Sequence, residues 1–478
     1  MPHTAIINGT ILTMDQDRRI IDRGTLLIED DRITAVGPSD TISVPSEAEI
    51  VDADGLAVLP GFVNAHTHAQ QILLRGGASH DRGLQDWLLN VLHPGLAAYS
   101  QEDLRIGTLL YCVEALLGGI TTIVSNEGAS PTDFEWAAAP AMSAFETAGV
   151  RTIYARMYSD SVPSELSGLR DAIKAKEPGV QRLATSPETD QILGQLNELA
   201  RKYHGRSGGL IHVWPAPISP YLVSKRGLAA ASELARSNGT MWTMHLDEDA
   251  IEARVLWMSP TEYCRNLGAL DARLLAAHCV NASARDIRLL KSHDVKVSTQ
   301  PGSNAYLASG VAPVPLMHAH GLTVGIGTDD ANCNDAVNMI TEMKTLCLIH
   351  RAVNRDPSII TPEKALEMAT IDGARAIGLE SEIGSVEVGK RADISMLDCG
   401  VPQMTPHGDI AASIVFQANG SEVRDVMVGG RWRVRNRMPT FLSANELRLL
   451  LIDASNRAAD IAKRAGISTT RPWRTVGI

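Results

Sequence analysis

A chain of 478 residues, 44% hydrophobic and 21% charged, can bury a substantial core and has the composition of a soluble globular protein. With a formal charge of −11 and no block of lysine or arginine to track phosphates, it is not expected to bind nucleic acid. Its apolar stretches break within about a dozen residues, short of the ~20 that span a bilayer. The opening Met1-Pro2-His3-Thr4-Ala5 lacks the basic-then-apolar layout of a secretory signal, so a cytoplasmic protein without a membrane partner is expected.

Residues 4–56 alternate short β-branched runs with turn signals such as Asn8-Gly9 and Asp30-Asp31, which predicts a small all-β unit built of hairpins. From residue 57 the texture changes to apolar runs alternating with helical patterns, the mark of βα units and a parallel sheet. Eight runs stand out, at 58–64, 120–124, 150–157, 209–217, 240–248, 274–280, 295–300 and 322–329. Eight is the strand number of the (β/α)8 TIM-type barrel. The helices between them are signalled independently. Ser100 with Asp103 forms a capping box, Leu104, Leu109, Leu110, Val113, Leu116 and Leu117 follow at helical spacing, and Gly118-Gly119 ends the run. Helices are expected likewise over 134–147, 222–237, 283–291, 336–353 and, as a final brace, 362–377. After Ile383 the β texture returns around the Gly429-Gly430 turn, so both chain ends are expected to build one β-sandwich beside the barrel. Ser443 with Glu446 then opens an amphipathic helix that stops at Gly466. The expected class is α/β: a sandwich domain from 1–57 and 384–442, a barrel over 58–383, and a C-terminal helix and tail over 443–478.

Chemistry in a parallel barrel gathers at the carboxyl ends of the strands. There the sequence places His66 and His68 just after the first run, His245 near the end of the fifth, His278 near the end of the sixth, and Asp329 closing the eighth. An H-x-H pair alone is a weak signal in a chain with 14 histidines. Neighbours two apart on a strand share a face, however, and here five metal-capable side chains fall on one rim. Imidazole nitrogens with a carboxylate suit zinc or ferrous iron rather than magnesium or calcium. The cysteines, Cys112, Cys264, Cys279, Cys333, Cys347 and Cys399, show no C-x-x-C spacing and are expected to be small core residues, Cys279 and Cys333 lying beside candidate site residues.

The segments PGFVNAHTH at 60–68, MHLDE at 244–248, AHC at 277–279, SN at 303–304 and GIGTD at 325–329 resemble the amidohydrolase superfamily in its cytosine-deaminase-like branch. ATIDGAR at 369–375 and the stretch 384–393 match as well, so the resemblance covers nearly the whole chain. QILLRGG at 71–77, SNAYL at 303–307 and VAPVP at 311–315 are similar to the triazine hydrolase group of that superfamily. The resemblance implies one divalent transition metal per chain, Zn2+ or Fe2+, on His66, His68, His245 and Asp329, with His278 orienting the bound water and serving as a weaker or variable ligand. A second metal would need a bridging lysine or glutamate on the fourth strand, and GLIHVWP at 209–215 offers neither. A bound ion lowers the pKa of its water toward ~7. Asp329 then takes the water's proton while Glu248, matching the family's acid–base glutamate, protonates a ring nitrogen as hydroxide adds to the ring carbon. Trp87 is a candidate to stack on a flat heteroaromatic ring or to fill core, and Gln71, Asn126 and Asn304 are candidates to hold ring substituents.

The expected activity is hydrolytic deamination of amino-s-triazines, small melamine-like heteroaromatics. After Asp329 the chain reads Asp330-Ala331-Asn332-Cys333. The group's aminotriazine deaminases carry acid and thiol at the places of Asp330 and Cys333, where its chlorotriazine dechlorinases carry Asn and Ser. Leu84, Leu92 and Trp257 also match the deaminase side. An amine leaves only when protonated, whereas chloride departs unaided, and an Asp330 carboxyl relayed through Cys333 is expected to deliver that proton. Dechlorination of an atrazine-like ring, deamination of a purine or pyrimidine, and a non-catalytic scaffold stand as alternatives. The resemblance further implies a homo-oligomer, and the stripe Leu447, Leu449, Leu450, Leu451 and Ile452 on the last helix is a candidate contact.

Overall fold

The computed structural model describes residues 3–76, 80–130, 132–161 and 187–467; Gly77 of the 71–77 motif and the end of the expected tail, 468–478, lie outside them. The chain opens with β1 (His3–Leu12), β2 (Ile20–Glu29), β3 (Arg32–Pro38), β4 (Glu49–Asp52) and β5 (Leu56–Pro60). The turn expected at Asp30-Asp31 joins β2 to β3, with Asp30 in the left-handed region at φ 54°. Eight parallel strands follow: β6 (Phe62–Thr67), β7 (Ile120–Glu127), β8 (Arg151–Tyr158), β9 (Ile211–Pro217), β10 (Trp242–Leu246), β11 (Leu274–His278), β12 (Lys296–Thr299) and β13 (Val324–Ile326). They pair in order as two four-stranded sheets, β6 to β9 and β10 to β13. The sheets meet along both edges. The His245 N–H donates to the Ile218 carbonyl at 3.2 Å, and the Asp329 N–H donates to the His66 carbonyl at 2.9 Å. Val63, Val124, Ile153, Trp214 and Leu275, one from each of five of these strands, share a single buried cluster with Ile377.

β14 (Ile394–Asp398), β15 (Val423–Val428), β16 (Arg431–Arg435) and β17 (Met438–Pro439) return to the opening strands. The sandwich expected from the chain ends takes the form of one continuous nine-stranded sheet, ordered β17-β16-β15-β14-β5-β1-β2-β3 with β4 on β1. β5 makes the join, because Val58 faces Ile11 of β1 in parallel and Met396 of β14 antiparallel. Residues remote in sequence, Ile6, Ile28, Ile33, Ile394 and Met427, therefore share one core.

The first expected barrel strand, 58–64, is divided at Gly61, a correction to its reading as one run. Pro60 still pairs with β14, whereas Phe62 already pairs with β7. The Gly61 N–H goes to the Asp393 carbonyl and the Phe62 N–H to the Gly119 carbonyl, both at 2.9 Å, so successive amides serve different sheets. A Cβ on Gly61 would fall 2.1 Å from Thr121 Cγ2, and only glycine lets the chain pass there. The brace over 362–377 is also divided, into Pro362–Ala369 and Ile371–Ala376, at the non-helical Thr370 (ψ −95°).

The helix Gln101–Leu117 carries the expected box, Ser100 accepting from the Asp103 N–H and Asp103 from the Ser100 N–H. The last helix, Ala444–Arg464, packs Leu450, Ala454 and Ile461 inward and ties Arg457 to Asp103 at 2.9 Å. Leu449, Leu451 and Ile452 face outward. Among the described residues no helix is long and apolar enough to cross a membrane.

Candidate metal and catalytic centre

The expected residues at the strand ends converge. His66 and Thr67 end β6, His245 lies in the last turn of β10, His278 ends β11, and Asp329 follows β13 through a single bridge to Thr67. Asp247, His278, Cys279 and Asp329 all adopt left-handed backbone, with φ of 54°, 72°, 49° and 60°. Non-glycine residues rarely do so, at a cost of order 1–3 kcal/mol each, and such turns persist where the surroundings fix them. Here they stop the strands at the rim and turn the side chains onto it.

Each imidazole is held from behind. The His68 Nδ1–H donates to the Asn126 carbonyl at 2.5 Å, His245 Nδ1–H to the Ile218 carbonyl at 2.9 Å, and His278 Nδ1–H to Asn304 Oδ1 at 3.0 Å. The Asn126 carboxamide lies 2.9 Å from His66 Nδ1. The outward Nε2 atoms are thereby aimed at a common space, as second contacts on ligand histidines do. The His66 ring centre lies 5.1 Å from that of His68, 4.9 Å from His245 and 5.2 Å from His278. Nε2 of His66 and Nε2 of His278 are buried with no hydrogen-bond partner among the described residues. An unmet buried polar atom costs about 1–3 kcal/mol, which a cation between them would remove.

The spacing separates an ion site from a plain hydrogen-bonded cluster. Asp329 Oδ1 lies 3.5 Å from His66 Nε2 and 3.4 Å from His68 Nε2. Those gaps are too long for good hydrogen bonds, and ligands ~2.1 Å from a tetrahedral ion stand about 3.4 Å apart. The residues therefore fit a divalent nitrogen- and oxygen-liganded metal. Asp329 Oδ2 accepts the Ser303 hydroxyl at 2.6 Å. Beyond it, His278 Nε2 faces Glu248 Oε2 at 3.6 Å and Asp329 Oδ2 at 3.9 Å.

Burial pushes His66 down to about 4, Asp329 partly opposing it, and holds His245 well below the usual imidazole range. His278 is lowered for the same reason. These imidazoles are neutral, as ligation requires. Burial also works against charge on His68, but the Asp329 carboxylate outweighs it and lifts His68 to about 9, a proton that a bound metal would displace. Asp329 in turn stays well below the carboxylate range, its burial overcome by His66 and His68. Glu248 goes the other way: burial, then the Asp329 charge, pushes it well above the usual value. Two carboxyls on one rim are thus shifted in opposite directions, the arrangement of an acid beside a base.

The remaining expected residues divide. Gln71 is buried in the short helix after His68, its Oε1 without a partner among the described residues, and Leu92 is buried nearby in the chain with Leu84 partly so. Trp87 joins the main core and donates its Nε1–H to Asn332 Oδ1 at 2.6 Å. Asn126 and Asn304, expected on ring substituents, instead engage the imidazoles of His66 and His278. Trp257 does not join the buried cluster: it closes the helix Ala250–Leu256 in left-handed backbone and stands 86% exposed. The expected relay from the Asp330 carboxyl through Cys333 is not formed. Cys333 Sγ lies 3.4 Å from the Asp330 backbone carbonyl and 3.2 Å from Ser303 Oγ, while Asp330 Oδ1 accepts the Asn332 N–H and its Oδ2 is buried and unpartnered among the described residues. Burial raises Asp330 to about 8.

Several contributors went unassigned in the sequence. Asn64 donates to Thr328 Oγ1 at 2.8 Å and accepts the Thr328 N–H at 3.0 Å, pinning β6 to the Asp329 turn. Gln300 accepts the His278 N–H at 2.9 Å. Glu252 accepts the Glu248 N–H at 2.7 Å. Asn64 stands inside the H-x-H segment and Asp249-x-x-Glu252 is a capping-box pattern, so both had a signal; Gln300 had none.

Residues 57–433 match the sequence profile of the amidohydrolase family. An S-triazine hydrolase of Gordonia rubripertincta is 47% identical, the match spanning 100% of both chains. A 5-methylthioadenosine/S-adenosylhomocysteine deaminase of Desulforamulus reducens is 32% identical over 97% of this chain and 100% of its own. The crystal structure of an adenosine deaminase from Xanthomonas campestris with bound zinc superposes with a TM-score of 0.85 at 25% identity, covering 96% of this chain and 98% of that one.

Proposed function

The chain belongs to the amidohydrolase family, and on that premise we propose that it is a metal-dependent hydrolase that removes amino groups from amino-s-triazines, melamine-like rings. Its catalytic unit is a closed (β/α)8 barrel, with a second domain of both chain ends beside it and the C-terminal helix as a third segment. The observation that carries the reading is the Asp329 carboxylate 3.4 and 3.5 Å from two imidazoles with the Glu248 carboxyl 3.6 Å from His278 Nε2 across from it. The 47% identity to an S-triazine hydrolase supports the ring.

His66, His68, His245 and Asp329, which fall in the two close-set groups of His66, His68 and Asp329 and of His66, His245 and His278, would hold one Zn2+ or Fe2+, and the zinc-bound adenosine deaminase of the same fold supports zinc. When bound, such an ion supplies a water acidified toward pKa ~7. Asp329, held below the usual carboxylate range, would be the base that takes a proton from the water attacking the ring carbon. His278, its Nδ1–H engaged by Asn304, offers Nε2 as an acceptor that orients the water. Glu248, on which burial favours the proton, is the group that gives one to the adjacent ring nitrogen. On collapse the ring nitrogen returns that proton to Glu248, the proton on Asp329 passes to the amine, and ammonia leaves: one C–O bond forms and one C–N bond breaks. Asp330, protonated by burial, is a second acid for the departing amine and favours ammonia over chloride as leaving group. A purine-type ring is the second reading, favoured by the 32% identical adenosine-type deaminase.

We further read the protein as a cytoplasmic homo-oligomer joined in part through Leu449, Leu451 and Ile452. The test of the substrate reading is to measure ammonia from melamine and from 5-methylthioadenosine, and chloride from atrazine, with metal-loaded and metal-stripped protein. Ammonia from melamine should dominate and vanish on stripping. Preferential chloride release, or preference for the adenosine-type ring, would overturn the assignment.

A further inference from the structure

Glu248 leaves a strained turn, and something other than its own strand must aim it. Asp247 before it is left-handed at φ 54° and buried, its carboxylate accepting the Thr261 hydroxyl at 2.6 Å. After it, the helix Ala250–Leu256 begins, and the fourth residue on from Glu248 is Glu252. Glu252 is only 2% exposed. Oε1 of Glu252 accepts the Glu248 N–H at 2.7 Å and the Asp249 N–H at 3.2 Å, and its Oε2 accepts the Ser219 hydroxyl at 3.1 Å. Ser219 follows Ile218, whose carbonyl takes both the backbone N–H and the Nδ1–H of His245. One buried carboxylate thus joins the segment that orients His245 to the backbone that presents Glu248. The opposite side is held by Asn281, which donates to the Glu248 carbonyl at 3.1 Å and the Asp247 carbonyl at 3.2 Å.

We propose that Glu252 is a positioning residue for Glu248, fixing the proton carrier over the ring nitrogen relative to the His245 side of the centre. As the third residue of a capping box it also starts a helix, and a cap alone would require only the Asp249 N–H. The shorter bond is to Glu248, outside the helix, and the second oxygen reaches a different strand end; neither serves helix initiation. Misplacing a catalytic group by about 1 Å costs roughly 10²-fold in rate, so loss of this clamp acts on turnover before it acts on folding. The inference rests on Glu248 being the proton carrier.

The experiment compares Glu248→Gln, Glu252→Ala, Glu252→Gln and the double variant Glu248→Gln/Glu252→Ala, all metal-loaded, by kcat per bound metal across pH. Glu252→Gln keeps an acceptor for both N–H groups and should stay within about threefold of wild type, whereas Glu252→Ala should fall by roughly 10²-fold in kcat with KM little changed. The double variant should be no slower than Glu248→Gln, because Glu252 acts only through that side chain. A Glu252→Ala enzyme within about twofold of wild type, a Glu252→Gln enzyme as slow as Glu252→Ala, or losses that multiply in the double variant would each overturn the inference. If Glu252→Ala does not fold, Glu252→Asp, one methylene too short to span the same three donors, is judged by the same criteria. Full activity in Glu248→Gln would instead remove the underlying reading of Glu248, which separates the two failures.

Discussion

Replacing Gly327 by alanine tests how tightly the metal-ligand strand is held. A Cβ at 327 would stand 2.6 Å from the His66 carbonyl oxygen, 2.7 Å from its amide nitrogen and 2.9 Å from its Cβ. Nonbonded contacts are optimal at about 3.5–4.0 Å, so all three gaps are short by roughly 0.6–0.9 Å. None of the three atoms can swing away. His66 is fully buried, its carbonyl is fixed by the Asp329 N–H and its ring by Asn126. Either β6 or the turn at 327–329 must therefore move by several tenths of an ångström, and each choice shifts His66 against Asp329. The overpacking should cost about 1–3 kcal/mol, and a ligand displaced on the order of 1 Å should lower turnover by roughly 10²-fold. Gly325 in the same motif is the control: its Cβ would meet Ala65 Cβ and Gly373 Cα at 3.2 Å and Ala376 Cβ at 3.4 Å, a smaller misfit that touches no atom of His66. Metal content by plasma mass spectrometry, turnover per bound metal and thermal melting are measured on both variants. A metal-replete, fully active Gly327→Ala protein, or equal damage at Gly325→Ala, refutes the reasoning.

Glu342 is buried, accepts the Asn334 amide at 2.7 Å and the Gly302 N–H at 2.8 Å, and burial pushes its carboxyl from 4.5 to about 7. The folded chain therefore keeps a proton that the unfolded chain releases: the contribution is fully present below 4.5 and is lost as pH rises to about 7, at up to about 1.4 kcal/mol per unit. Glu342→Gln cannot ionise, so it should gain stability on the wild type in melts taken from pH 5 to pH 8; parallel curves would show the carboxyl is not responsible. Light scattering at micromolar concentration should give a mass above that of one chain, and Leu449→Glu/Ile452→Glu should reduce it; a monomeric wild type would exclude the last helix as a contact.

The site was legible where local chemistry and a fold rule coincide. His66, His68, His245, His278 and Asp329 could be placed because side-chain alternation fixes a face and parallel sheets put function at the carboxyl ends. The role of Glu248 came from resemblance, since an acid in the run Asp247-Glu248-Asp249 reads equally as a solvated charge. The partners of Asn126 and Asn304 were not legible: the first is 60 residues from His66 and the second 26 from His278, distances in sequence that no periodicity encodes. The fold shows the same limit. The stretch from Leu56 to Val63 holds no polar or charged side chain to mark which sheet each half joins, and only the Pro60-Gly61 pair, followed by the close approach to Thr121, decides it.

Asp330 and Cys333 show why adjacency in a motif is not adjacency of function. Three residues apart in a turn, they were expected to pass a proton between their side chains, yet the turn brings the thiol to a backbone carbonyl and points the two groups to different neighbours. Cys333 reaches the centre through Ser303, whose hydroxyl lies 3.2 Å from Sγ and donates to Asp329 at 2.6 Å. The thiol therefore stands one hydroxyl away from the Asp329 carboxylate. Asp330 keeps one oxygen on the Asn332 N–H and leaves the other buried and unpartnered among the described residues. An amine leaving group needs both: a base free to take a proton early and an acid able to give one late. Chloride needs only the first. The acid and the thiol do not form one relay: the thiol reaches Asp329 through the Ser303 hydroxyl, while the Asp330 carboxyl is tied to its own turn.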